Sequence, residues 1–218
     1  MLGERTTSGA LRVKICGVTN NDDAQAALGA GADAIGLNCF RGSKRYLDVQ
    51  EAESWLRRLP APLIKVAVLV NAPLDEALAI AQLPFIDALQ LHGEETPEFC
   101  AAVARARVRF GKALPVTGAQ SLTGAQLYAT KTIVMDSSAA GAFGGTGKTF
   151  PWEIAQQFVR EHPEVRAILA GGLTPENVAD AIRLVRPFGV DVTTGVESSP
   201  GRKDHAALRR FINAARAA

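Results

Sequence analysis

The chain has 218 residues, 47% of them hydrophobic, which fits one large α/β domain as easily as two small ones. Lys and Arg number 24 against 22 Asp and Glu, for a net charge of +2. This balance gives no general affinity for nucleic acid or for an acidic membrane, so we expect neither as a partner and any anion site must be local.

The cysteines and the N-terminal segment indicate a cytoplasmic protein. Cys16, Cys39 and Cys100 are too widely spaced, and odd in number, for a disulfide framework or a zinc site. Reduced thiols are typical of the cytoplasm. Residues 1–11 lack the apolar segment of a secretion signal and predict a short flexible extension. No apolar run approaches the roughly 20 residues that span a bilayer.

Short apolar, β-branched runs alternate with helical patterns along the whole chain. The first run ends on Cys16, and a helix start follows at Asn20. The predicted strands are 12–16, 34–37, 65–70, 88–91, 109–113, 132–135, 167–169 and 189–192. Most of them lack polar alternation, which is typical of parallel strands covered by helices on both faces.

Helix boundaries are predicted from capping residues. The signals are Asp48 with Glu51, Thr96 with Pro97, Thr174 with Pro175, and the terminators Gly29 and Gly31. A small polar residue before proline is typical of a helix start.

About eight strand–helix units favour a closed (β/α)8 TIM barrel over an open doubly wound sheet. No linker or charge block divides the chain. We therefore predict a single α/β barrel domain over residues 12–218.

Polar residues follow the predicted strands at the end where such barrels carry their active sites. They are Cys16, Asn38, Arg45, Asn71, His92, Asp136, Gly171, Gly172, Asp191 and the segment 193–197. We expect them to converge at one mouth of the barrel although they are scattered along the chain.

Cys16 stands at the end of a buried strand, where a rigid element positions its thiol. A thiolate there acts as a nucleophile or a base. The alternative is a structural role, because free cysteine is among the most buried residue types. We assign that structural role to Cys39 and Cys100.

Three other candidates each have a structural alternative. Asp136 is a functional acid or the cap of the following turn, and His92 is a ligand-binding residue or a partner of a neighbouring loop. Arg45 is surface charge or, if it lies in the barrel mouth, a bidentate carboxylate binder.

Two glycine-rich regions are candidates for phosphate binding through backbone N–H groups. Their glycines and hydroxyl residue are Gly144, Gly145, Gly147, Gly171, Gly172, Thr194 and Gly195. Tight turns are the alternative. A nucleotide-binding P-loop is disfavoured, since its first glycine would fall on Ala142.

Six motifs in chain order resemble the phosphoribosylanthranilate isomerase family. They are Lys-Ile-Cys-Gly-Val-Thr at 14–19, Ser-Lys-Arg-Tyr at 43–46, Gln-Leu-His-Gly-Glu-Glu at 90–95, Asp136 with Gly-Gly-Thr-Gly-Lys-Thr-Phe at 144–150, Gly-Gly-Leu-Thr-Pro-Glu-Asn-Val at 171–178, and Asp-Val-Thr-Thr-Gly-Val-Glu at 191–197 with Pro-Gly-Arg-Lys-Asp-His at 200–205. The departures are Thr193-Thr194 in place of two serines and Pro151 in place of an aspartate. Each motif alone is modest, but together they are specific.

The resemblance implies an Amadori rearrangement in tryptophan biosynthesis. N-(5-phosphoribosyl)anthranilate would become 1-(2-carboxyphenylamino)-1-deoxyribulose 5-phosphate, with no metal and no organic cofactor. Cys16 would be the general base, Asp136 the general acid and Arg45 the binder of the anthranilate carboxylate. His92 and Asp191 would bind sugar hydroxyls or tune the acid and base, and the glycine loops would hold the phosphate. A small-molecule substrate is the expected partner, and we expect a monomer or a homodimer.

Two alternatives remain at this stage. The related sugar isomerase of histidine biosynthesis uses an aspartate as its base, and Cys16 at that position argues against it. A catalytically silent, phosphate-binding barrel is disfavoured by the intact set of Cys16, Asp136 and Arg45.

Overall fold

Eight parallel strands close into a barrel in chain order in the computed structural model, which describes residues 1, 11–137 and 149–218. The strands are β1 (Arg12–Cys16), β2 (Ala34–Asn38), β3 (Ile64–Leu69), β4 (Ala88–Leu91), β5 (Phe110–Pro115), β6 (Thr132–Asp136), β7 (Arg166–Leu169) and β8 (Gly189–Val192). The barrel closes because β1 pairs with both β2 and β8. The predicted TIM barrel is confirmed.

Helices cover the outside of the barrel. They are α1 (Asn21–Gly29), α2 (Glu53–Leu56), α3 (Leu74–Ala81), α4 (Pro97–Arg105), α5 (Trp152–Glu161), α6 (Val178–Val185) and α7 (His205–Arg216). After β8 come a 3₁₀ turn (Thr194–Val196) and an antiparallel hairpin of β9 (Glu197–Ser199) and β10 (Arg202–Lys203). In the described ranges, no helix is both long enough and apolar enough to span a bilayer.

The fifth strand–helix unit departs from the prediction. Two short 3₁₀ helices, Ala119–Leu122 and Ala125–Tyr128, replace an α-helix between β5 and β6. Gly124 lies between them with a φ of 81°. Its left-handed conformation interrupts a regular α-helix, and glycine is the residue that adopts it most readily.

Two capping predictions are confirmed. The Asn20 side chain accepts from the Asp23 N–H at the start of α1, and Thr96 caps α4 with Pro97 in the first turn.

Two other predicted helix starts are wrong. Asp48 accepts from the backbone of Gln50 and Glu51 in a turn, but α2 begins later. Thr174 accepts from the Glu176 N–H, and Asn177 stands at the N-cap of α6. Asp and Thr side chains make such local bonds in turns as readily as at helix starts, so the pattern alone does not separate the two structures.

Successive side chains of each strand point alternately outward to the helices and inward to the barrel axis, so the buried residues form two regions. On β1, Val13 and Ile15 face the helices and belong to the large outer core, whereas Lys14 and Cys16 face the barrel axis. Toward the N-terminal ends of the strands, a group of apolar side chains that we call the lower plug fills the barrel interior. It consists of Ala34, Val66, Ala88, Ala113, Val134 and Ile168. The polar inward-facing residues therefore lie above this plug, toward the C-terminal ends of the strands.

Met1 completes the lower plug of the barrel. It is buried against these residues, and its ammonium group donates to Thr132 Oγ1 at 3.4 Å. Burial, with Arg166 and Arg109 nearby, lowers the pKa of this ammonium to about 5. Residues 2–10 lie outside the described chain, so the flexible extension and its boundary stay predictions.

Candidate active site

A cavity of about 240 Å³ opens at the C-terminal ends of the strands. Its lining includes most of the predicted site residues that the structure describes: Cys16, Asn38, Arg45, His92, Asp136, Gly171, Gly172, Asp191, Thr193, Thr194 and Gly195. Asn71, also expected at this mouth, does not line the cavity, because its side chain turns away to accept from the Glu94 N–H. Gly144, Gly145 and Gly147 lie outside the described residues. The structure thus brings the scattered candidates together, while their roles stay predictions.

Cys16 ends β1 beside a glycine of β2. Gly36 is its partner in the strand register, and a Cβ added to Gly36 would lie only 2.6 Å from Cys16 Sγ. The absence of a side chain at Gly36 is what leaves room for the thiol. Burial raises the pKa of Cys16 above its ordinary value, and the positive charge of Lys14 opposes that rise.

Only one of the two carboxylate oxygens of Asp191 accepts a hydrogen bond within the described residues. Lys14 Nζ donates to Asp191 Oδ2 at 2.7 Å, and both side chains are buried. Asp191 Oδ1 is buried and has no hydrogen-bond partner among the described residues. A buried oxygen of this kind at a cavity wall is a ready acceptor for a ligand hydroxyl.

Asp136, His92 and Gln90 form a hydrogen-bonded row along β6 and β4. His92 Nε2 lies 3.0 Å from Asp136 Oδ2, and Gln90 Nε2 lies 2.8 Å from His92 Nδ1. Because an amide nitrogen only donates, Nδ1 is the acceptor and the proton of neutral His92 sits on Nε2. His92 therefore donates to the Asp136 carboxylate.

Arg45 is already held on one edge by a carboxylate of this chain. Its Nε and Nη2 donate to Glu197 at 2.9 and 2.7 Å, and Lys203 Nζ donates to the same carboxylate at 3.0 Å. Burial acts to raise the pKa of Glu197, but Arg45 and Lys203 together hold it below its ordinary value. The guanidinium is thereby fixed at the cavity wall.

The loops after β7 and β8 pack closely together. Gly171 and Gly172 have φ values of 82° and 64°, a left-handed backbone that favours glycine. A Cβ on Gly195 would lie 2.0 Å from the Leu173 carbonyl oxygen. Both a tight turn and a phosphate cradle use such backbone, so the geometry is compatible with either interpretation.

Sequence reasoning missed several residues that shape this site. They are Lys14, Gly36, Gln90 and Lys203; Glu197 lay in the segment 193–197 expected at the mouth, but its bond to Arg45 was not predicted. Lys14 and Gln90 carried a usable signal, because each is a polar residue inside an apolar strand, two positions before a candidate. Strand side chains two apart share a face, so both had to point toward the cavity.

No group of three or more His, Cys, Asp and Glu side chains in ranges 11–137 and 149–218 is arranged to hold a metal ion.

Comparison with known proteins decides the family. The family model for N-(5'-phosphoribosyl)anthranilate (PRA) isomerase matches residues 13–214. The chain belongs to the PRA isomerase family. It is an isomerase of tryptophan biosynthesis, and the resemblance of its motifs is confirmed.

Individual PRA isomerases support the same assignment. The enzyme of Pelobacter propionicus is 43% identical over 206 residues, which cover 94% of this chain and 96% of that protein. The Thermotoga maritima PRA isomerase structure has a TM-score of 0.87 and 39% identity, with 95% and 100% of the two chains covered. Another PRA isomerase structure, a complex with reduced 1-(o-carboxyphenylamino)-1-deoxyribulose 5-phosphate, has a TM-score of 0.83 and 37% identity, with 95% and 100% covered.

Proposed function

We propose that this PRA isomerase converts N-(5-phosphoribosyl)anthranilate into 1-(2-carboxyphenylamino)-1-deoxyribulose 5-phosphate with Asp136 as general acid and Cys16 as general base. The observation that carries the proposal is that these two residues, far apart in sequence, line one cavity. The substrate-analogue complex of a related PRA isomerase supports a sugar phosphate of this size as the ligand.

Asp136 opens the sugar ring. Its carboxyl proton passes to the ring oxygen, the C1–O bond breaks, and the nitrogen lone pair forms a C1=N iminium. The Asp136 carboxylate that results accepts the His92 Nε2–H across 3.0 Å. A donor that favours the carboxylate stabilises the charge that develops as the proton leaves.

Cys16 takes the proton from C2. The electron pair of the C2–H bond forms a C1=C2 double bond, and the iminium pair returns to nitrogen. The enol becomes the ketone when C1 gains a proton and the C2 hydroxyl loses its own. Asp191 Oδ1 accepts a hydrogen bond from a sugar hydroxyl, because it is buried at the cavity wall without a partner in the described chain.

Two anionic ends orient the substrate between acid and base. Arg45 binds the anthranilate carboxylate with the guanidinium nitrogen that makes no bond to Glu197, since Glu197 holds only the Nε and Nη2 edge. The backbone around Gly171, Gly172, Thr194 and Gly195, with the glycines at 144, 145 and 147, binds the phosphate. The net charge of only +2 makes such local anion sites necessary.

The test is turnover of freshly prepared phosphoribosylanthranilate, followed by the loss of its fluorescence without added metal. We expect Cys16→Ala and Asp136→Asn each to lower kcat about 10²- to 10⁴-fold, the range of general acid–base catalysis. Cys39→Ala is the matched control, because Cys39 lies outside the cavity, and its rate should be that of the parent. Near-parental turnover in either active-site variant removes that residue from its role.

The cytoplasmic location and the monomeric or homodimeric state belong to this proposal. Sedimentation velocity across a range of concentrations separates the two assembly states.

A further inference from the structure

A buried lysine lies beside the proposed catalytic thiol. Lys14 is two residues before Cys16 on β1, so both side chains point to the barrel axis. Lys14 is 0% exposed, and its register partner on β8 is Asp191, whose Oδ2 accepts from Lys14 Nζ at 2.7 Å. A lysine buried in this way needs a counter-charge, and Asp191 supplies it.

The lysine nitrogen and the cysteine sulfur face the same small space. A Cβ on Gly36 would lie 2.6 Å from Cys16 Sγ and 3.0 Å from Lys14 Nζ. The two groups are neighbours, so the ammonium charge of Lys14 acts directly on the thiol of Cys16. Burial alone would lower the pKa of Lys14, but Asp191 and Cys16 raise it above its ordinary value, so the ammonium form persists.

The other charges near the sulfur are differently engaged. Lys203 on β10 donates to the Cys16 carbonyl and to Glu197, and Arg45 donates to Glu197. The single carboxylate of Glu197 balances only one of these two positive charges, and Lys203 bonds to the backbone of Cys16, not to its thiol. Lys14 shares its charge between Asp191 and the thiol itself.

We propose that Lys14 is a positioning residue for the reaction: its ammonium stabilises the thiolate form of Cys16, and Asp191 limits how much of that charge acts on the sulfur. The inference rests on the proposed role of Cys16 as the base. Its physical basis is the strength of charge interactions between buried groups.

The proposal predicts that the pKa of Cys16 shifts in opposite directions in two variants. In Lys14→Met, the largest influence that opposes the effect of burial on the thiol is lost, and the pKa of Cys16 rises. In Asp191→Asn, a negative neighbour is lost and the pKa of Cys16 falls. Each unit changes the thiolate fraction about tenfold at a fixed pH below the midpoint.

The experiment is a titration of thiolate ultraviolet absorbance without substrate. Each variant is compared with the same variant carrying Cys16→Ala, so the signals of Cys39, Cys100 and the tyrosines cancel. We expect the Cys16 midpoint to rise by about one unit or more in Lys14→Met and to fall in Asp191→Asn. Lys112→Met is the matched control, because it breaks another buried lysine–carboxylate pair, with Glu95 at 2.9 Å, and should leave the midpoint unchanged.

A midpoint that does not rise in Lys14→Met, in a protein with parental circular dichroism, overturns the proposal. If Lys14→Met does not fold, Asp191→Asn decides: a lower midpoint supports the inference, and an unchanged or higher one overturns it. Because no substrate is present, the result is independent of whether Cys16→Ala retains turnover, which tests the proposed base itself. In folded Lys14→Met we also expect kcat to fall while KM changes little.

Discussion

The position of the Cys16 thiol, the proposed base, depends on a residue that has no side chain. Gly36 faces Cys16 across the β1–β2 pair, and both Cys16 Sγ and Lys14 Nζ occupy the space where a Cβ would be. That Cβ would also lie 3.1 Å from Cys16 Cα. A methyl group there must move the sulfur, because the backbone of a central strand gives little.

We therefore expect Gly36→Ala to lower kcat about 10²-fold, the cost typical of displacing a reacting group by roughly 1 Å. Steady-state kinetics with phosphoribosylanthranilate measures the effect. Gly29→Ala is the control, since a Cβ at Gly29 would meet nothing within 4 Å, and its kcat should stay parental. Equal kcat values for the two variants would show that the thiol tolerates the methyl group.

Single residues also show what a sequence can and cannot predict. The locations of Cys16, Asp136 and Asp191 at the cavity were predictable, because Cys16 and Asp136 end apolar strands, Asp191 is the last residue but one of another, and strand ends converge in a barrel. The bond from Arg45 to Glu197 was not, because it joins residues 152 positions apart. Such a contact depends on barrel closure and on the path of the last hairpin, which no local pattern encodes.

Among the secondary-structure elements, the β9–β10 hairpin links Arg45, the proposed carboxylate binder, to β1, which carries the proposed base. Glu197 accepts hydrogen bonds from Arg45. Lys203 Nζ donates to Glu197 at 3.0 Å and to the Cys16 carbonyl at 2.6 Å. The hairpin thus fixes one edge of the guanidinium relative to β1.

Glu197→Gln should raise the KM for phosphoribosylanthranilate about tenfold or more, because charged hydrogen bonds contribute about 1.5–3 kcal/mol and Arg45 loses its fixed orientation. Initial-rate kinetics gives KM and kcat separately. Glu53→Gln breaks an exposed pair with Arg57 and should leave KM unchanged. A lower or parental KM in Glu197→Gln would mean that Glu197 competes with the substrate or does not position Arg45.

At the level of elements, the strands were better predicted than the helices. Continuous apolar runs mark strands buried on both faces, and the eight predicted runs all overlap observed strands. Helix starts at Asp48 and Thr174 were wrong because those side chains bind nearby backbone N–H groups in turns. The helix expected after β5 is divided by Gly124, whose backbone is left-handed.

For the whole molecule, the last helix covers the place where the first and last strands of the barrel pair. α7 packs against α1 and α6, beside the β1–β8 pair that closes the barrel. Its Phe211 is 0% exposed and belongs to the outer core.

Phe211→Ala should lower the free energy of unfolding by about 3–5 kcal/mol, the usual cost of removing a buried aromatic ring. Denaturant unfolding followed by circular dichroism measures it. Arg209→Ala, on the exposed side of the same helix, should change stability by no more than about 0.5 kcal/mol. A similar small change for Phe211→Ala would show that α7 is dispensable for closure.

The inward and outward faces of each strand serve different functions, and this determines which substitutions can alter the chemistry of the site without unfolding the barrel. Most strand side chains of the outer core do not line the cavity, and most strand side chains that line the cavity do not belong to that core; Val192 is an exception that does both. New chemistry can therefore be explored by exchanging every second residue near the strand tips, while the intervening positions preserve the scaffold.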